Sequence, residues 1–393
     1  MHSHLIADGV AGVGNDWLDQ LFGLVSHDRG IISLAIGAPE VESLPRDLIL
    51  SAMEGALTQW GRSVFQYGAT QGFLPLRRAV GPMLANRGID VGIDRIHIST
   101  GSSGGLNSLG MALLNPGDVV VVERPSYAPA LKLFRGYQAR VVEVSGDEDG
   151  MLPKHLDAAL AEHDAKFVYL LPTFQNPSGR TMPRERRAEI AEVLVHRRTL
   201  AIEDDLYSDL YFTGPPPHAL WAEAPEHVVY LTSFSKTLAP ALRTGVVVLP
   251  RELMGPVLTL KQGIDMQTST LSQAVVADIL ARPELGFHLA GLRAEYQGKL
   301  AVLLEILTEP LRGRFHWREP GGGMFLWLEG PPGFDASVNL ERALAHGVAY
   351  VPGQSFHALA NQGLSTLRLS FASVSQARLA EGAQRLVQHL ADV

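Results

Sequence analysis

Lys236 stands in Ser233-Phe-Ser-Lys-Thr-Leu-Ala-Pro-Ala-Leu-Arg-Thr-Gly245, between two hydroxyl side chains and seven positions before Arg243. A lysine amine in water, with a reference pKa of about 10.4, is protonated and a poor nucleophile. Desolvation beside other cationic groups frees it for Schiff-base chemistry near neutral pH. Hydroxyls, an arginine and such an amine together read as a pocket for an aldehyde that carries a phosphate. Alone, the string also suits a surface lysine at a strand end; its partners decide between the two.

Those partners lie where strands should end. The apolar run Val228-Val229-Tyr230-Leu231 feeds into the Lys236 segment, and Lys166 to Leu171 ends in Pro172-Thr-Phe-Gln-Asn-Pro-Ser-Gly-Arg180. Leu200-Ala201-Ile202 ends in Glu203-Asp204-Asp205-Leu206-Tyr207, and Val119 to Val122 runs into Glu123-Arg-Pro-Ser-Tyr127. Between them, Arg184 to Arg198 carries apolar residues at helical spacing. Strands alternating with helices predict an α/β fold with a mostly parallel sheet, which binds ligands beyond the carboxyl ends of its strands. Asn176, Asp204 and Lys236 all fall at such ends. Ser99 to Leu114 reads as a Gly/Ser turn opening a helix, whose first N–H groups lack internal partners and suit a phosphate. Arg368, in the alternating strand Thr366 to Phe371, is a charge that needs a partner; a structural ion pair would also provide one.

Thr100-Gly-Ser-Ser-Gly-Gly105, Asn176-Pro-Ser-Gly179, Asp204-Asp-Leu-Tyr207, Ser235-Lys236 and Arg368 occur in this order over nearly the whole chain. The set resembles the fold-type-I pyridoxal-phosphate (PLP) enzymes of the class I/II aminotransferase family. The Asp-Asp-x-Tyr and Ser-Phe-Ser-Lys forms resemble its kynurenine/aminoadipate aminotransferase branch. The resemblance implies that Lys236 holds the cofactor and moves the substrate α-proton, and that Asp204 faces the pyridine nitrogen. Asn176 and Tyr207 would bond the phenolic oxygen, and Tyr127 would stack on the ring. Ser102, Ser103, Gly104, Ser233, Ser235 and Arg243 would hold the phosphate, although a glutamine is usual in the family where Ser103 or Gly104 stands. Arg368 would grip the substrate α-carboxylate, with Asn176 and the Gly37 backbone beside the substrate. Tyr67, in Phe65-Gln-Tyr-Gly-Ala-Thr-Gln-Gly72, matches the tyrosine that reaches the phosphate of a neighbouring subunit, which implies a homodimer with shared active sites. Asp205 should point to the opposite side from Asp204 and receives no catalytic role.

The reaction implied is ping-pong transfer of an amino group between an L-amino acid and a 2-oxo acid, in amino-acid metabolism, with pyridoxamine phosphate as the intermediate cofactor form. The alternative is another PLP reaction at the amino-acid α or β carbon: elimination, racemisation, retro-aldol or oxidation. A regulator with an added DNA-binding domain is disfavoured, because residues 1–45 are too short and too acidic for one.

Composition agrees. At 393 residues with 46% hydrophobic and 19% charged side chains, the chain can bury a large core. A net charge of -8 without a basic run argues against nucleic acid. Zero cysteines exclude disulfides and thiol chemistry. No Walker or Rossmann glycine spacing occurs, and the histidines form no metal-ligand string, so no metal is expected. No apolar run of membrane or signal length is present, and a cytoplasmic protein is expected. The expected domains are 46–285, which binds the cofactor, and a smaller α+β lobe from 1–45 plus 286–393. Substrate side-chain contacts are sought in Asn15 to Leu24 and Gly263 to Thr270.

Overall fold

Strands that are apolar at every position need cover on both faces, and the helices between them supply it. A computed structural model describes residues 5–11, 23 and 30–390; of the Asn15 to Leu24 segment, all but Gly23 lies outside these. The strands are β1 (Ile32–Ser33), β2 (Ile96–Ser99), β3 (Val119–Arg124), β4 (Arg140–Asp147), β5 (Gly150–Met151), β6 (Ala165–Leu170), β7 (Leu200–Asp204), β8 (Val228–Ser233) and β9 (Gly245–Val248), followed by β10 (Phe325–Glu329), β11 (Val348–Ala349), β12 (Val351–Pro352) and β13 (Thr366–Ser370).

Eight of them form one sheet in the order β2-β9-β8-β7-β6-β3-β4-β5. The run from β8 through β7, β6 and β3 to β4 is parallel, while β9 is antiparallel to both neighbours and β5 to β4. The winding reverses between β3 and β6, and such a reversal opens a crevice beyond the strand ends. The loops that bear Tyr127 and Asn176 leave from these two strands. Alternation along the strands splits the core in two. Val119, Val121, Val168, Leu170, Val228 and Tyr230 pack on one face, and Val120, Val122, Phe167, Tyr169, Val229 and Leu231 on the other.

A third core gathers around the sheet β10-β13-β12 and the short parallel pair β1-β11. The Glu284–Leu311 helix feeds it with Leu292, Tyr296, Leu300, Leu303, Leu307 and Leu311, three or four residues apart along one face. Phe174, Leu206, Tyr207 and Leu210, from the loops after β6 and β7, join the same core. The smaller sheet therefore sits over the carboxyl ends of the larger one. Truncating a buried leucine in such a core costs about 2–5 kcal/mol, so the two layers are held firmly together.

Candidate active site

Lys236 follows β8 by three residues, and its Nζ donates to Gly37 O at 2.6 Å. Burial, with Arg368 and Arg243 adding positive charge, pushes its pKa down to about 8. Near neutral pH about a tenth of such amines are unprotonated, far more than for a lysine in water.

Asp204 ends β7. Its Oδ2 accepts from Tyr169 Oη at 2.8 Å, and its buried Oδ1 has no partner. Burial drives the carboxyl up to about 7, Tyr169 opposing and Asp205 adding to the rise. Neighbouring side chains on a strand point to opposite faces, so Asp205 turns away, to Arg87 at 3.0 Å and Tyr230 Oη at 2.9 Å.

Arg368 is buried on β13, held through Nη1 to Asn176 Oδ1 at 2.7 Å and Nη2 to Ala35 O at 2.6 Å, while its Nε is unpartnered. The guanidinium lies 4.3 Å from the Phe325 ring centroid and 5.1 Å from that of Phe356, and burial lowers its pKa to about 10. Asn176 Nδ2 in turn donates to Tyr207 Oη at 3.5 Å. Burial raises the Tyr207 hydroxyl well above its ordinary value. Tyr127, raised to about 12 by burial and by Asp204, is pulled back by Arg368 and Arg243. These contacts and mutual influences put the carboxyl ends of β3, β6, β7 and β8 and the middle of β13 in one crevice.

At one end of the crevice the helix Gly101–Leu113 begins after β2 with only the bend at Thr100 between them. Gly101 has φ of 71°, and a Cβ there would lie 2.6 Å from Arg243 Nη2. Arg243 donates through Nη2 to Thr100 O at 3.4 Å, and Ser233 Oγ and Ser235 Oγ are 2.9 Å apart. Ser102, Ser103 and Gly104 occupy the first turn, whose N–H groups have no partners within the helix. Oxygen-binding donors, a cation and a glycine with no room for a side chain are a set that could cradle a phosphate. With a nucleophilic amine and a buried carboxylate oxygen that lacks a donor, the set fits a phosphorylated aldehyde with a basic ring nitrogen. Tyr67 stands apart, 76% exposed, beside a groove of about 480 Å³ lined also by Phe65, Gln267 and Thr270. Among the described residues, no cluster of side chains could hold a metal ion.

Sequence reading missed Tyr169, Ala35 and the Lys261–Asp265 pair at 2.6 Å, whose carboxylate also accepts from Thr100 Oγ1 at 2.5 Å. Tyr169 left a signal, a lone hydroxyl in a buried apolar strand, where such a group needs a partner. The Ala35 carbonyl left none.

The family model for aminotransferase class I and II matches residues 29–386. Aromatic-amino-acid aminotransferase 1 of Thermococcus litoralis is 35% identical over 367 residues, 91% of this chain and 87% of that protein. Kynurenine aminotransferase of Pyrococcus horikoshii, solved with PMP, KYN as substrates and KYA as products, matches with a TM-score of 0.93 at 33% identity over 99% of this chain and 97% of its own. Alpha-aminoadipate aminotransferase of Thermus thermophilus, complexed with N-(5'-phosphopyridoxyl)-L-leucine, gives 0.91 at 32% over 99% and 98%.

Proposed function

The chain belongs to the aminotransferase class I and II family, in its kynurenine/aminoadipate-like branch, and on that premise we propose how its own residues carry PLP-dependent transamination between an amino acid and a 2-oxo acid. Bound PLP would supply an aldehyde carbon that takes up the amino group and a ring that draws electrons from the substrate α-carbon. Lys236 would hold that aldehyde and, once free of it, would move the α-proton as general base and acid. The placement of this amine is the observation that carries the reading: Lys236 follows the end of β8 with its Nζ on Gly37 O, in the same crevice as the unpartnered Asp204 Oδ1.

Asp204 would keep a proton on the pyridine nitrogen through Oδ1, the buried oxygen that lacks a donor. Asn176 and Tyr207 would donate to the phenolic oxygen, and Tyr127 would cover a ring face. Ser102, Ser103, Gly104, Ser233, Ser235 and Arg243 hold the phosphate. Arg368 binds the substrate α-carboxylate, its Nε free to donate and its plane fixed by Phe325, Phe356 and Asn176. At Gly37 a side chain would strike Phe325, with a Cβ 2.8 Å from Cζ, so the bare backbone suits close approach of substrate.

In this reading residues 46–285 form the cofactor-binding domain, and 1–45 with 286–393 the small domain. Two chains pair, with each Tyr67 serving the phosphate of the other copy's site. No described helix is long and apolar enough to cross a membrane; a cytoplasmic location is part of the same proposal.

Lys236→Ala is expected to abolish turnover and to leave no borohydride-stable pyridoxyl label at that position. Normal turnover by the variant would refute the role. Conversion of the pyridoxamine form back to the aldehyde form by a 2-oxo acid, read in the visible spectrum, tests the reaction class.

A further inference from the structure

Arg87 belongs to none of the motifs above. It lies between the Gly81–Ala85 helix and β2, yet is only 6% exposed. Its Nε donates to Asp205 Oδ2 at 3.0 Å, Nη1 to Pro217 O at 2.8 Å and Nη2 to Thr173 Oγ1 at 3.4 Å. Tyr230 Oη donates to the same Asp205 oxygen at 2.9 Å. A second buried guanidinium, Arg187, donates to Thr173 Oγ1 and Pro172 O, both at 3.0 Å, and lies 3.6 Å from Glu203. Glu203 accepts from the N–H groups of Leu220 and Trp221, each at 2.9 Å.

This network meets the roots of three functional segments. Thr173 opens the loop that bears Asn176, Asp205 adjoins Asp204, and Tyr230 lies on the strand that leads to Lys236. Backbone contacts tie the last two together, with Asp205 N to Leu231 O at 2.8 Å and Thr232 Oγ1 to Asp205 O at 2.6 Å. Burying two cations and two anions is costly, and an apolar filling is often as stable. Stability alone therefore does not explain why charged rather than apolar residues stand here.

The network's position relative to Asp204 does. Asp205 is a negative charge one residue from Asp204, and it disfavours ionisation there. Burial works to strip Arg87 of its charge, but Asp205, Tyr230 and Glu203 overcome this and hold the guanidinium above its ordinary value. Arg87 thus stays charged and is ion-paired with Asp205 at 3.0 Å, both side chains buried. The other groups facing this pair are Arg187 and Asp209, and those facing Asp204 are Tyr169, Tyr127 and Tyr207.

We propose that Arg87 is a positioning residue for transamination, which neutralises Asp205 so that Asp204 can stay ionised opposite the cofactor ring nitrogen. The proposal rests on the role given to Asp204 above.

The test is the pH profile of kcat and KM in the holoenzyme. Arg87→Met leaves Asp205 uncompensated, so the acidic limb of kcat should move up by about one pH unit, with kcat at pH 6 down about tenfold and KM changed less. Asp205→Asn should move the limb the other way, because Arg87 then acts on Asp204 unopposed. Arg87→Met/Asp205→Asn, which removes both charges, should return the midpoint close to that of the parent, and Arg87→Lys should retain it. A merely structural role lowers kcat in all of these without opposite shifts, and that result would overturn the proposal. If Arg87→Met does not fold, the downward shift in Asp205→Asn and the parental midpoint of the double variant decide alone. Asp204→Asn is the control. Parental activity in it would overturn the role of Asp204 and this proposal with it, whereas loss of activity there beside an unmoved limb in Asp205→Asn and Arg87→Met would overturn this proposal only.

Discussion

Lys236 and Asp204 have pKa values displaced toward each other, the amine down to about 8 and the carboxyl up to about 7, both chiefly by burial. The displaced amine has a consequence in the cofactor-free protein. Below about pH 8 the amine is mostly protonated, so its rate of capturing an aldehyde should rise nearly tenfold per pH unit. Above about 8 the free-amine fraction saturates and the rate should level off. Uptake of PLP by the apoenzyme, quenched with borohydride and measured as label at Lys236, checks this. A rate still rising steeply between pH 9 and 10 would mean an unperturbed amine. Arg368→Met should move the plateau to higher pH, because it removes one of the two cations that depress the amine.

At the level of elements, the helix Gly101–Leu113 and the arginine after β8 form one unit, and Gly101 is its tightest point. Alanine there meets two costs: a left-handed backbone of about 1–2 kcal/mol, and a Cβ only 2.6 Å from Arg243 Nη2. Gly101→Ala should therefore lower thermal stability and weaken PLP retention on dialysis by about tenfold. At Gly104 an added Cβ would come no closer than 3.3 Å, to Thr100 Cβ, and the residue is inside the helix. Gly104→Ala should leave stability nearly unchanged or slightly raised; equal PLP loss in both variants would contradict the geometric argument. The same elements explain what the sequence reveals. β3, β6, β7 and β8 are unbroken apolar runs that end in polar segments, so the sites of Asn176, Asp204 and Lys236 beyond them can be read locally. β9 is as apolar, but no intervening α-helix, only the short 3-10 turn Pro240–Leu242, marks it as a separate strand beside β8. The Arg87–Asp205 pair spans 118 positions, and no periodicity within either segment points to the other. Arg368 could be recognised as a charge needing partners, whereas Ala35 O, one of those partners, is a backbone atom without a sequence signature.

At the scale of the whole molecule, the site as proposed needs a second chain. Tyr67 is 76% and Phe65 65% exposed, beside a groove of about 480 Å³, although both are large aromatic side chains with much apolar surface to lose. A Tyr67 that serves the partner's phosphate can be separated from one that serves its own by mixing two defective chains. Take Lys236→Ala, inactive in its own site, and Tyr67→Ala, weakened in whichever site the tyrosine serves. In a mixed dimer the Lys236→Ala chain supplies an intact Tyr67 across the interface, and the Tyr67→Ala chain supplies an intact Lys236. One of the two sites then has both groups. Random exchange of equal amounts makes half of the dimers mixed, so activity should approach about a quarter of the parental value per site. If Tyr67 instead serves its own chain, no mixed site has both residues, and mixing should restore nothing above the residual activity of Tyr67→Ala. Exchange by mild denaturation and refolding, with tagged chains to count mixed dimers, decides between the two. The same tagged chains report the association itself: failure to recover any mixed species would contradict the paired arrangement.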